Sequence, residues 1–178
     1  MFSNDSQFSA TSIGDADIFG PRSAQISRLS NIQMNPELRP LLAGPNALFA
    51  TEEYGYTHVR EFQYFDSSST RIGINLGGAQ NVNDSTPKLI SGTARHWHLS
   101  QNLDFGVLMA PDEPNTLFVY KWLWSIQQGG TQKLQQSWSK WTFSQQVINI
   151  LFDENSLDVF VTSPGNGCLL YTSDAADE

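Results

Sequence analysis

The chain has 178 residues and a formal net charge of −8, with ten Lys and Arg residues against eighteen Asp and Glu. An acidic chain is a poor candidate for wrapping nucleic acid, because phosphate binding relies on Lys and Arg. The single cysteine, Cys168, excludes an internal disulfide and a cysteine metal cluster, and no apolar run is long enough to span a bilayer. Only 16 % of the residues are charged and 12 % are aromatic, which favours strands over long surface helices.

In chain order, the first predicted elements are a strand and a hairpin. Polar and apolar residues roughly alternate over residues 23–30, which is typical of a half-buried strand. Residues 46–51 and 57–65 form the arms of the predicted hairpin, and Gly55 between them can adopt the positive φ that a tight turn requires. Residues 1–65 are therefore predicted to form a β-rich segment with a hairpin.

Residues 66–92 are predicted to form a Gly-, Asn- and Ser-rich connector. Turn-forming residues dominate this stretch, and three consecutive serines occupy positions 67–69. Ile72, Ile74 and Leu76 alternate with polar or small residues, so a short strand can interrupt the loop. A loop this long indicates either a functional segment or a domain junction.

Residues 93–167 have the clearest strand pattern and are predicted to form a β-propeller-like meander, truncated at its C-terminal end. Pro111 and Pro114 mark a turn, because proline cannot continue a central strand. Short antiparallel strands at regular spacing are typical of a propeller blade or a sandwich. The predicted strands cover residues 94–99, 104–110, 116–124, 134–143, 147–153 and 157–162.

Two segments, residues 1–64 and 116–143, resemble a known family. The first contains Arg39-Pro40-Leu41-Leu42-Ala43-Gly44, Ala47-Leu48-Phe49-Ala50 and Val59-Arg60-Glu61-Phe62, and the second contains Leu117-Phe118-Val119-Tyr120-Lys121-Trp122-Leu123-Trp124 and Gln135-Gln136-Ser137-Trp138-Ser139-Lys140-Trp141-Thr142-Phe143. In order and approximate spacing these motifs resemble the tail tubular protein B of podoviruses, also called the tail nozzle protein. Where that family carries a short acidic helical connector, this chain has the Gly- and Asn-rich residues 71–87.

The resemblance implies an all-β structural component of the phage virion and not an enzyme. It implies a platform region, a homohexamer in a full-length protein several times longer, and contacts with the tail tubular protein A ring and a tail fibre. Genomic DNA would pass through the lumen without specific binding, and an acidic ring suits that passage because it repels the duplex. No catalytic, cofactor-binding or metal-binding residues are expected, and no cofactor.

Residues 168–178, which include Cys168, resemble the translation of a transposase-type sequencing adapter. Such tails occur on proteins read from poorly trimmed metagenomic sequence, so we predict that natural sequence ends near Gly167. The alternative is a genuine acidic C-terminus. Sequencing the underlying nucleotides tests the prediction: codons that do not spell the adapter contradict it.

His96-Trp97-His98 is the most site-like motif. Alternate histidines on a strand point to one face and could present two metal ligands, with His58 on a different predicted strand. Exposed or hydrogen-bonded histidines are the simpler interpretation. Gly73-Ile74-Asn75-Leu76-Gly77-Gly78 lacks the glycine spacing and the lysine of a phosphate-binding loop.

Acidic residues offer a second candidate site. A carboxylate pair could hydrolyse a glycosidic bond, but acids are common in turns for local hydrogen-bonding reasons, and four of these five lie in predicted turns. The candidates are Asp104, Asp112, Glu113, Asp153 and Glu154.

The five tryptophans all lie between Trp97 and Trp141. They could form a sugar-stacking surface, which makes a carbohydrate-binding β-module the alternative function, either in a receptor-binding tail protein or in a secreted glycosidase. Trp122 and Trp124 share one strand face, whereas Trp138 and Trp141 are three residues apart and face opposite sides of a regular strand. This distribution favours a role in sheet cores and subunit contacts.

Overall fold

The computed structural model describes residues 2–3, 5–12, 24–44, 46–62, 64–65, 73–74, 79–100, 102–127, 130–153, 156–163 and 167–174. The regular elements within these ranges are strands, and the strand pairs are antiparallel, which confirms the predicted all-β class. The strands are β1 (Phe2–Ser3), β2 (Ser6–Ser12), β3 (Ala24–Ser30), β4 (Leu41–Ala43), β5 (Asn46–Glu53), β6 (Tyr56–Phe62), β7 (Tyr64–Phe65), β8 (Gly73–Ile74), β9 (Gln80–Asn81), β10 (His96–Ser100), β11 (Phe105–Met109), β12 (Thr116–Gln127), β13 (Gly130–Thr142), β14 (Val147–Phe152), β15 (Ser156–Ser163) and β16 (Gly167–Asp174).

These strands form small sheets in which most neighbours in space are also neighbours in sequence. We name three of them the hairpin sheet (β4-β5-β6-β9), the central sheet (β10-β11-β12-β13) and the C-terminal sheet (β14-β15-β16). A further sheet has the order β1-β2-β3, and β7 pairs with β8. Consecutive pairing of this kind follows from short turns between strands, which leave each strand beside the one before it.

The β5–β6 hairpin turns at Tyr54 and Gly55, between the paired residues Glu53 and Tyr56. Both turn residues have positive φ, 54° at Tyr54 and 79° at Gly55, as a two-residue type I′ hairpin turn requires. The sequence prediction of a positive-φ glycine at this position is confirmed. Tyrosine is an unusual occupant of its position, since Asn, Asp and Gly adopt the left-handed region most readily.

The central sheet buries apolar side chains on both faces. Along β12, Leu117 and Val119 point to one face and Phe118, Tyr120 and Trp122 to the other, following the two-residue period of a strand. The first core lies toward the hairpin sheet, and its members include Leu48, Ala50, Val59, Trp97, Leu108, Phe118, Tyr120 and Trp122. The second core lies toward the C-terminal sheet and includes Phe105, Val107, Leu117, Val119, Val147, Ile150, Leu157, Val159 and Val161.

The hairpin sheet is also covered on its far face. Phe49 and Phe62 stack there with ring centroids 5.3 Å apart, in a small cluster with Met34 and Ala79. The backbone N–H of Asn35 donates to the carbonyl of Ala50 at 2.8 Å, which fixes the covering segment to β5. The hairpin and central sheets are therefore packed on two sides, whereas the outer face of the C-terminal sheet carries exposed apolar residues such as Leu151.

The described strands agree with the predicted strands of residues 23–65 and 93–162, with ends that differ by a few residues. Within the predicted connector, 66–92, β9 pairs with β6 and the backbone N–H of Thr57 donates to Ile90 at 3.0 Å. Ile90 is fully buried in the first core, because residues 79–92 pack against the hairpin sheet. The proposed boundaries at 65, 92 and 167 remain predictions. Strand β16 includes residues 168–174, and its pairing with β15 does not show whether these residues are native or derived from an adapter.

Gly92 gives a stability prediction. Its φ is +76°, and a Cβ at this position would lie 2.6 Å from the carboxylate carbon of Asp112, which accepts a hydrogen bond from Ser91. We expect Gly92→Ala to lower the free energy of unfolding by about 1–3 kcal/mol, from left-handed strain and crowding. Urea titration measures it, with Gly55→Ala as the control, since Gly55 has φ +79° and open space around it. An equal loss in both variants would rule out crowding by Asp112.

Candidate functional site

The three histidines do not form a metal site in the described structure. His96 and His98 lie on one face of β10 with ring centroids 6.0 Å apart, as their alternation predicts. His58 is buried on β6, where its Nδ1 lies 2.9 Å from the side-chain amide of Asn81. Across the described ranges, no three His, Cys, Asp or Glu side chains come together in a group that could hold a metal ion.

His98 gives a pH prediction. Burial, then the nearby charges of His96 and Arg39, lower the pKa of His98 from its ordinary value near 6.5. Between the lowered pKa of the folded state and 6.5, the unfolded chain binds more protons than the folded chain. His98 therefore does not reduce the free energy of unfolding above pH 6.5, and that free energy falls as the pH drops from 6.5 through the folded pKa. We expect His98→Gln to flatten this part of the stability–pH curve, measured by urea titration at several pH values. An unchanged slope would show that another group is responsible.

The candidate acids are dispersed. Asp112 accepts a hydrogen bond from Ser91, and Glu113 forms an ion pair with Lys140 at 2.8 Å. Asp104 has a φ of 52° in the turn before β11, and the backbone N–H of Asp153 donates to the carbonyl of Ser156 at 3.1 Å. Glu154 lies outside the described residues, as do Asn75 to Gly78 of the glycine-rich motif and the side chain of Cys168. The described acids thus have local structural roles, as turn-associated acids commonly do.

The tryptophans belong to the cores. Trp97 and Trp122 are buried in the first core, and Trp124 and Trp138 pack against it. Trp141 packs against the second core, so Trp138 and Trp141 occupy opposite faces of β13 as their spacing predicts. The indole N–H groups of Trp97 and Trp138 donate to the carbonyls of Arg39 and Val82, at 2.8 and 3.1 Å. The tryptophans therefore hold sheets together and do not form a surface for stacking sugars.

A buried ion pair joins the hairpin sheet to the central sheet. The Nζ of Lys133 on β13 lies 2.5 Å from a carboxylate oxygen of Glu61 on β6, and the Glu61 side chain is only 2 % exposed. The side-chain amide of Asn46 donates to the same carboxylate at 2.9 Å. Charges buried this deeply need such partners, because desolvation of an unpaired charge costs several kcal/mol.

Two further side chains complete this polar cluster. Lys133 donates to the Tyr120 hydroxyl at 2.9 Å, and that hydroxyl donates to the Gln136 side chain at 2.9 Å. Burial lowers the pKa of Lys133, and the hydrogen bond and charge of Glu61 oppose that shift. Burial and then the charge of Glu61 raise the pKa of Tyr120, so the phenol stays protonated and can donate. The cluster fixes the alignment of the two sheets through directional contacts.

An open cleft lies beside the hairpin turn, with a volume of about 870 Å³. Tyr56, His58 and Arg60 of β6 contribute to its lining, since alternate residues of a strand share a face. Arg60 forms an ion pair with Glu53 at 2.6 Å and donates to the carbonyl of Ala79 at 3.2 Å. Sequence reasoning did not identify this cleft, because its other side is formed by residues 80–88, assigned to the connector.

The chain is similar to known proteins of bacteriophage tails. A family model described as "Bacteriophage nozzle protein" matches residues 1–178. A curated relative, "Tail tubular protein gp12" of Escherichia phage T7, is 24 % identical over 162 residues, which cover 90 % of this chain and 19 % of that protein. The chain thus spans about a fifth of the length of this relative.

The all-β fold agrees with this family match, and the match identifies the chain as a structural protein of a bacteriophage tail. The chain belongs to the bacteriophage nozzle protein family. Within the described part of the chain, no helix has the length and apolar character needed to cross a membrane.

Proposed function

We propose that this chain forms part of the wall of the DNA-ejection channel and of the fibre-attachment platform of the tail nozzle. The observation that carries the proposal is the match of the nozzle family model over residues 1–178. The packing supports it, because a sheet with cores on both faces resists deformation in the way a channel wall requires. Its role lies in shape and subunit contacts, without a catalytic residue or cofactor.

The stacked sheets also support a propeller-like arrangement. The hairpin, central and C-terminal sheets follow one another in sequence and pack face to face in that order. Consecutive antiparallel sheets stacked this way are the repeating arrangement of propeller blades. The central sheet, with four strands in sequence order, corresponds to a complete blade.

In the full-length protein, six copies would form a ring that contacts the tail tubular protein A ring and a tail fibre. The net charge is −8, or −8 + 3 = −5 without the three acids of residues 168–178, and an acidic chain suits a lumen that conducts genomic DNA without binding it, since like charges repel. Replacing lumen-facing acids by lysine is expected to slow ejection, followed as DNA release in real time. Unchanged ejection kinetics would contradict electrostatic repulsion at the wall.

Electron cryomicroscopy of the full-length protein bound to its tail tubular protein A tests the proposal directly. The expected result is a ring of six subunits with residues 41–163 in the wall or platform. A different stoichiometry, or a position of this region away from both, would overturn it. The carbohydrate-binding module loses its principal support as an alternative, because its candidate tryptophans pack in the cores.

A further inference from the structure

We propose that the cleft beside the hairpin turn binds a neutral oligosaccharide. The proposal assigns a ligand site to this chain and does not rest on the channel and platform roles. It rests on the shape of the cleft, the balance of its charges and the aromatic side chain at its rim. The cleft is open to solvent, and its volume of about 870 Å³ leaves room for several sugar rings, whereas most protein partners dock on flatter surfaces.

The charged side chains of the cleft balance one another. Glu53 and Asp84 supply two carboxylates, and Arg60 and Lys88 supply two cations. Nucleic acid or another polyanion would need an excess of cations, since its affinity comes from neutralising phosphate or sulfate groups. A lining without net charge suits a ligand that carries hydroxyl groups and no charge.

Tyr54 gives the cleft an exposed aromatic ring. The residue is 98 % exposed, and its φ of 54° is a left-handed conformation that costs tyrosine more than Asn or Gly. Neither the core nor the turn therefore requires tyrosine here. A strained residue that packs against nothing indicates a function, and a tyrosine ring can stack on the apolar C–H face of a pyranose while its hydroxyl stays in water.

Some polar side chains of the cleft are held in place by hydrogen bonds within the protein, and others can bind a ligand. Asn81 holds His58, and the Glu53 carboxylate with the Ala79 carbonyl holds Arg60, so these side chains are oriented before a ligand arrives. Gln80, Asp84 and Lys88 make no side-chain hydrogen bond within the described part of the chain and line the same cleft. They offer both donors and acceptors, which is what vicinal hydroxyl groups need.

The test uses the full-length protein and three soluble probes: maltohexaose, cellohexaose and a heparin hexasaccharide. Isothermal titration calorimetry is expected to detect binding of at least one neutral probe at roughly millimolar or lower concentration, with weaker binding of heparin. Tyr54→Asn keeps the type I′ turn and removes the ring, so it should fold at least as well and bind about tenfold more weakly. Tyr54→Phe keeps the ring and should retain most of the affinity.

Leu123→Ala is the control, because Leu123 is an exposed apolar residue, 51 % exposed, that does not line the cleft. Its affinity for the neutral probe should equal that of the parent protein. Absence of binding to both neutral probes would overturn the proposal. So would equal affinity of Tyr54→Asn and the parent protein, or tighter binding of heparin, which would identify an anion site.

Discussion

Replacing Lys133 by alanine is expected to lower the free energy of unfolding by about 3–5 kcal/mol, because it leaves the Glu61 carboxylate buried without its counter-charge. Asn46 would remain as a hydrogen-bond donor to that carboxylate, but one neutral amide does not replace an ammonium group at 2.5 Å. The hydroxyl of Tyr120 would also lose a donor. Urea titration followed by tryptophan fluorescence measures the change, since the tryptophans lie in or against the two cores.

Two further variants make the result specific. Lys140→Ala removes a comparable ion pair with Glu113, but both side chains there are about one-third exposed, so the expected loss is about 1 kcal/mol or less. The double variant Glu61→Met with Lys133→Met removes both charges at similar volume and should recover most of the stability lost in Lys133→Ala. A Lys133→Ala loss no greater than that of Lys140→Ala would contradict the buried pair.

Replacing Asn83 by alanine is expected to cost about 2–6 kcal/mol, because it leaves two buried backbone groups of β6 without partners. Asn83 is fully buried. Its side-chain oxygen accepts from the N–H of Val59 at 2.9 Å, and its amide donates to the carbonyl of Thr57 at 3.2 Å. The side chain thus takes the place of a neighbouring strand at this edge of the hairpin sheet.

Asn115 supplies the matched control for Asn83. Its amide donates to the carbonyl of Phe143 at 3.2 Å, but in an exposed position where water replaces the lost partner. Asn115→Ala should cost less than about 1 kcal/mol by the same urea titration. Asn83→Asp keeps an acceptor for Val59 but buries an unpaired carboxylate against the Thr57 carbonyl, so a loss at least as large as that of Asn83→Ala is expected. If all three variants lost the same stability, the burial of Asn83 would not explain the effect.

The strands were predictable because their determinants are local. Alternation of side chains over two residues, together with turn residues such as Gly55 and Pro111, defines where a strand begins and ends. The opposite placement of Trp138 and Trp141 followed from their spacing alone. These features require no knowledge of which sheet packs on which.

The polar contacts between sheets could not be predicted, because they join residues that are distant in sequence. Glu61 and Lys133 are 72 positions apart, and Lys133 stands in the polar run Thr131-Gln132-Lys133, which is typical of a solvated strand. Asn83 lies in a polar stretch that reads as a loop, although its side chain is buried. The cleft was missed for the same reason, since residues 80–88 reach β6 only in the folded chain.

The two-sided burial of the central sheet also has a consequence for synthesis of the chain on the ribosome. The first core is complete once β13 ends at Thr142, but the second needs Val161 of β15. At about 5–20 residues per second, roughly 1–4 s separate the emergence of these two residues. During that interval Leu117 and Val119 face water on a nascent sheet. In this period the growing chain most needs a chaperone to protect it from aggregation.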